Sequence, residues 1–140
     1  MNVIIAGSRT FSDYDLLRKK LDFFLSHKTD IHIVCGEAEG ADQLGKKYAQ
    51  EKGYEVLSYP DESSIYGSFA KYKRNREMAR VADALVAFWD GKSKGTAQLI
   101  QVMKEARKPI RIVYYKHESS GGSDGDSSYM DYSEAMRFNA

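Results

Sequence analysis

The sequence predicts an α/β fold, a Rossmann-like three-layer sandwich around a mainly parallel five-stranded sheet. Two observations predict it. Short β-rich runs alternate with segments of helical period, which favours parallel crossovers. The runs are also almost wholly apolar, as strands covered on both faces must be.

The elements follow in order. Asn2-Val-Ile-Ile-Ala6 reads as a buried strand, and Ser12 with Asp15 forms an approximate capping box that opens a helix. Leu16, Leu17, Leu21, Phe24 and Leu25 then recur at helical spacing on one face. Ile31-His-Ile-Val-Cys35 is a second strand, followed by a glycine-bearing loop and a helix over 41–52 that Gly53 ends in a left-handed turn. Tyr54 to Tyr59 is a third strand, stopped by Pro60. A helix over 72–81 leads to the apolar strand Ala84-Leu-Val-Ala-Phe-Trp89. A last helix over 96–106 turns Leu99, Ile100, Met103 and Ala106 inward, and the strand Ile110 to Tyr114 closes the domain.

Composition narrows the function. The 140 residues suit one ordinary domain, and 21 Lys+Arg against 20 Asp+Glu give a formal charge of +1. A basic nucleic-acid arm is excluded, and a nucleic-acid partner is disfavoured by the same balance. No apolar run approaches the roughly 20 residues of a membrane span and no leader is visible, so the expected setting is the cytoplasm without membrane contact. A lone Cys35 excludes an intrachain disulfide, and with only His27, His32 and His117 beside it no metal-site spacing arises. Residues 117–140 hold Glu118, Asp124, Asp126, Asp131 and Glu134 against Arg137 alone. With their Ser/Gly run they form an expected flexible acidic tail after a domain over 1–116. Its aromatic end, Tyr129 to Phe138, offers contact surface to the domain or to a neighbouring subunit.

In open α/β sheets ligands collect where the strands end and their order reverses, which directs attention to four loops. Gly7-Ser8-Arg9 follows the first strand, with a tight turn, a hydroxyl and a guanidinium. Gly36 and Gly40 bracket the second, with Asp42 in the first turn of the next helix, where it suits the helix dipole or a ribose hydroxyl. Asp90-Gly91-Lys-Ser93-Lys-Gly95-Thr96 runs from the fourth strand into a helix; its small residues and uncrowded amides make it the best phosphate site in the chain. The helix between the third and fourth strands is basic and includes Arg74 and Asn75.

Taken together, Gly7-Ser-Arg-Thr-Phe11, Gly36-x-Ala-x-Gly-Ala-Asp42, Arg74-Asn-x-x-Met78 and Ala84 to Thr96 resemble the YspA-like branch of the SLOG superfamily over about residues 3 to 114. That superfamily includes the Lonely Guy phosphoribohydrolases, DprA and sensor domains for NAD-derived nucleotides. The resemblance implies sheet order 3-2-1-4-5 and a pocket for a nucleotide or nucleotide-derived ligand. The hydrolase pattern pairs an arginine, matched by Arg74, with a glutamate three residues after a Gly-Thr pair, where this chain has Leu99. Arg74 and Asp42 remain the catalytic candidates, with Glu37 and Asp90 as other carboxylates; Glu37 replaces a glycine usual in the branch, and Lys71 replaces another.

The expected function is therefore binding of a nucleoside monophosphate or ADP-ribose type ligand, as a sensor or sequestering protein, with no cofactor. Amides from Gly91 to Thr96 and Arg74 are expected on phosphate, Ser8, Asp42 and Asn75 on sugar hydroxyls, and Trp89 or Tyr66 on the base. Hydrolysis of the N-glycosidic bond is the enzymatic alternative, and a protein interaction module built on the aromatic tail is a third. A homodimer or higher homo-oligomer is the expected assembly.

Overall fold

The computed structural model describes residues 1–36, 38–60, 67, 69–115 and 129–131. Its elements run β1 (Asn2–Gly7), α1 (Tyr14–Phe24), β2 (His32–Gly36), α2 (Ala41–Lys52), β3 (Glu55–Tyr59), α3 (Phe69–Val81), β4 (Ala84–Trp89), α4 (Lys94–Glu105), β5 (Ile110–Tyr115) and β6 (Tyr129–Asp131). Five parallel strands take the order 3-2-1-4-5, as the alternation of elements and the family resemblance required.

A sixth strand was not foreseen. Tyr129–Asp131 pairs antiparallel with β5, Tyr129 opposite Tyr115 and Asp131 opposite Val113. The start of the aromatic segment thus returns to the domain and occupies the sheet edge that β5 would otherwise expose. The expectation of a flexible stretch before it, and of the end of the tail after it, falls on residues outside those described.

Each central strand divides its side chains between two cores, because successive residues face opposite sides of a sheet. Val3 and Ile5 join Ile33, Val86 and Phe88 beneath α1 and α2, while Ile4 and Ala6 join Val34, Leu85 and Ala87 beneath α3 and α4. This is a three-layer sandwich. On α1 the residues at helical spacing, Leu16, Leu17, Leu21 and Phe24, are all buried. Its cap differs from expectation by one residue: Asp13, and not Ser12, accepts the Leu16 N–H at 3.0 Å. On α4 the inward residues are Leu99, Ile100, Val102 and Met103. Ala106, expected inward, is the exposed C-cap, because it follows the last turn that touches the sheet. Lys108 then reaches back to the end of α3, donating to the carbonyls of Ala79, Arg80 and Ala82 at 2.7, 3.1 and 2.7 Å. A cation at a helix C-terminus answers acceptors that the helix cannot satisfy itself.

β1 meets β4 so closely that a Cβ on Gly7 would stand 2.1 Å from the Phe88 carbonyl oxygen. No side chain fits there without separating the two central strands. We therefore expect Gly7→Ala to destabilise the fold by about 3 kcal/mol, the upper part of the range for overpacking. A urea midpoint unchanged from wild type would contradict this contact.

Candidate functional site

The loops at the carboxyl ends of β1, β2 and β4, with α3 and the start of α4, enclose a cleft of about 760 Å³. From the β1 loop it receives Gly7, Ser8 and Arg9; from α2, Asp42; from α3, Arg74 and Asn75; from the β4 loop and α4, Asp90, Ser93, Gly95 and Thr96. Gly36, Gly40 and Gly91 do not line it. Gly36 and Gly40 lie against residues that do.

Ser8 connects the loops. Its N–H donates to Phe88 O at 3.0 Å, and its carbonyl accepts from Phe11 N at 3.1 Å and Ala41 N at 3.4 Å. Its hydroxyl accepts from Asp90 N at 3.1 Å and from the Ser93 hydroxyl at 2.9 Å. The residue is only 1% exposed. A serine engaged in this way positions the loops and has little left for the sugar hydroxyl that the sequence suggested for it. Gly40 makes the Ala41 contact possible. Its φ is +74°, a left-handed conformation, and a Cβ there would stand 2.4 Å from Ser8 O.

Gly36 gives space to two charged groups at once. The position its Cβ would take lies 3.0 Å from the Arg74 guanidinium and 3.0 Å from Asp42 Oδ2. Asp42 is 5% exposed, and burial pushes its carboxyl up to about 6, although the Ala38 N–H, donating at 3.3 Å, and the charges of Arg74 and Lys46 pull the other way. The Nε of Arg74 is buried and has no hydrogen-bond partner. A buried donor on a charged group is costly to leave unmade.

The α4 N-terminus lines the same cleft. Its cap is Ser93, whose hydroxyl turns to Ser8 and makes no capping bond to the helix. Asp90 Oδ1 takes the N–H groups of Lys92 and Ser93, each at 2.8 Å. Burial would raise the Asp90 carboxyl, but these bonds and those of the Ser8 and Ser93 hydroxyls outweigh it and hold it below its ordinary range. The amide donors expected from Gly91 to Thr96 therefore narrow to the first turn, Lys94 to Thr96, whose N–H groups have no intrahelical acceptor. A Cβ on Gly95 would meet nothing within 4 Å, so open space lies over that turn.

Several contributors were not singled out from the sequence as site residues. Thr10, Glu39 and Gln98 line the cleft, and Lys71 and Lys94 add positive charge to it. Gln98 follows Lys94 by four residues, the spacing that places both on one helix face, and its Oε1 accepts from Asn75 Nδ2 at 2.8 Å. Leu99 also lines the cleft and is 2% exposed, so an apolar chain fills the position of the hydrolase glutamate. Trp89 does not line it: its indole N–H donates to Ser93 O at 3.0 Å and its ring packs on Tyr114. Glu37 and Tyr66 lie outside the described residues. Among the described residues no group of three or more His, Cys, Asp or Glu side chains is placed to hold a metal ion, and no helix is long and apolar enough to cross a membrane.

Asp42 predicts a measurable pH dependence. Its carboxyl titrates near 6 when folded but near 3.8 when unfolded, so the native state holds the proton more tightly and ionisation opposes folding. The stability tied to the protonated form is complete below pH 4 and is lost as pH rises to about 6. Asp42→Asn removes this loss, so denaturant titrations should show the variant gaining on wild type from pH 4 to 6 and then levelling, at on the order of 2 kcal/mol. A difference that does not vary with pH would contradict the burial of this charge.

Residues 1–64 match the family model described as YAcAr: YspA, cpYpsA-related SLOG family. No curated protein matches the chain, and no solved structure does. The matched segment carries β1 to β3 and the Gly7 and Gly36 loops, while Arg74, Asn75 and the β4–α4 loop lie beyond it. This match over residues 1–64 and the 3-2-1-4-5 order of the parallel strands support the SLOG superfamily, in its YspA-like branch, as the family that the chain resembles.

Proposed function

We propose that the cleft binds a nucleotide or nucleotide-derived ligand, of nucleoside monophosphate or ADP-ribose type, and that the protein serves as a sensor or sequestering protein for it. The observation that carries this reading is the buried, unpartnered Nε of Arg74, a residue lining the same cleft as the uncapped first turn of α4. Both lack an acceptor, and one phosphate group supplies acceptors to both. Helix N-termini and arginine forks are suited to that anion by dipole and by geometry. Asp42 and the exposed Glu39 border the β2–α2 side, where carboxylates repel phosphate and accept from hydroxyls. The sugar therefore lies toward α2 and the phosphate toward α4. Resemblance to the SLOG superfamily is consistent with a nucleotide-related role.

One observation favours the hydrolytic reading as the alternative. A carboxyl that titrates near 6 beside an arginine is poised to exchange a proton at neutral pH. On that reading Asp42 takes the part of the carboxylate that Leu99 cannot play, and free base is released from nucleoside monophosphates in a manner lost in Asp42→Asn.

A thermal-shift panel of nucleoside monophosphates and ADP-ribose tests the binding reading. A true ligand at 100 times its Kd should stabilise the fold by about 2.7 kcal/mol. Arg74→Ala should abolish the shift, and Arg74→Lys should retain only part of it, because lysine has a charge but no fork. No shift with any member of the panel, or a shift indifferent to Arg74→Ala, would overturn this function.

A further inference from the structure

The inference drawn from Gln98 rests on the nucleotide-binding reading above and assigns a further side chain to the phosphate. A glutamine can present either its oxygen or its NH2 group, and which one faces a ligand decides what that ligand must offer. Here the choice is made by a neighbour. Asn75, 2% exposed, donates its Nδ2–H to Gln98 Oε1 at 2.8 Å. The carbonyl end of Gln98 is thereby turned to α3, leaving the two N–H bonds of Nε2 for the cleft that Gln98 lines.

The other groups on this side share that character. Arg74, next to Asn75 on α3, has five donors and no acceptor, and its Nε is unpartnered. Gly95 and Thr96 on α4 present N–H groups, and Lys94 an ammonium. Asp90 on this side has one carboxylate oxygen, Oδ1, engaged by the amides of Lys92 and Ser93. The α3–α4 wall of the cleft is thus rich in donors, although the Asp90 carboxylate and the Ser93 and Thr96 hydroxyls also line it. A phosphate dianion brings three acceptor oxygens and no hydrogen, which suits a wall with this many donors.

We propose that Gln98, its amide oriented by Asn75, is a further donor to the phosphate of the ligand and thereby favours phosphate-bearing ligands over their unphosphorylated sugars. Asn75 is its positioning residue.

Calorimetric titration of the full chain with inorganic phosphate, ribose 5-phosphate, ribose and a nucleoside monophosphate tests this. Wild type should bind the phosphate-bearing probes and not ribose. Gln98→Glu keeps the shape and the acceptor for Asn75 but removes both N–H bonds, and should weaken the phosphate-bearing probes roughly 10- to 100-fold, the range of one hydrogen bond to a charged group. Gln98→Leu should lose binding within the same range, with a melting temperature close to wild type. Asn75→Leu releases the amide to turn and should weaken binding as well. Adding Gln98→Lys to Asn75→Leu should restore phosphate affinity, because an ammonium donates in every orientation; a purely structural role for Asn75 would not be rescued. Phosphate affinity unchanged in Gln98→Glu overturns the Gln98 assignment while the nucleotide reading stands. Failure of wild type to bind any phosphate-bearing probe overturns both.

Discussion

The site depends on the absence of a side chain at Gly7. Because β1 and β4 touch through backbone there, the Ser8 N–H reaches Phe88 O and the Ser8 hydroxyl reaches the turn at Asp90 and Ser93. One buried serine then joins three loops that come from distant parts of the chain. Thr10 extends the same connection to the sheet edge, its hydroxyl 2.9 Å from that of Tyr115, while the Phe11 ring packs between Phe88 and Tyr115 at 5.0 Å from each. The cleft opens where β2 departs to one side of β1 and β4 to the other, and this hub sets its dimensions.

What the hub holds in place is a set of groups the protein does not satisfy by itself. Asp42 is buried against its preference for charge, Arg74 keeps a donor without an acceptor, and α4 begins without a side-chain cap from its own Ser93. Each lowers the stability of the empty protein. A ligand with anionic oxygens at one end and hydroxyls at the other relieves all three, which is how a binding site commonly trades stability for function. The division of charge also orients the ligand. Donors are numerous on α3 and α4 and carboxylates border the α2 side, and the formal charge of only +1 conceals the separation.

Much of this was legible in the residues, and the failures have physical causes. Apolar runs such as Ala84 to Trp89 identify strands because five buried residues in succession, with Trp89 half-buried, suit a strand covered on both faces. Helix beginnings are harder to place. Ser12 and Asp13 are both good caps, and only the course of the chain selects Asp13. α3 and α4 start at Phe69 and Lys94, three and two residues before the first strong periodic signal, because polar first turns carry little of it. β6 has three residues, too few for any period to register. The glycines of the site were recognised, and Gly36 and Gly40 admit close neighbours, which sequence alone does not show. Gln98 escaped notice because its meaning comes from Asn75, 23 positions away in sequence and one hydrogen bond away in space.

The account stands on an oxyanion resting at the first turn of α4. Backbone amide NMR of the uniformly 15N-labelled chain, titrated with a nucleoside monophosphate, observes that turn directly. The N–H resonances of Gly95 and Thr96 should move downfield more than any others and saturate together with the Arg74 Nε–H signal. Saturable binding that leaves those three unmoved would place the anion elsewhere and contradict the account.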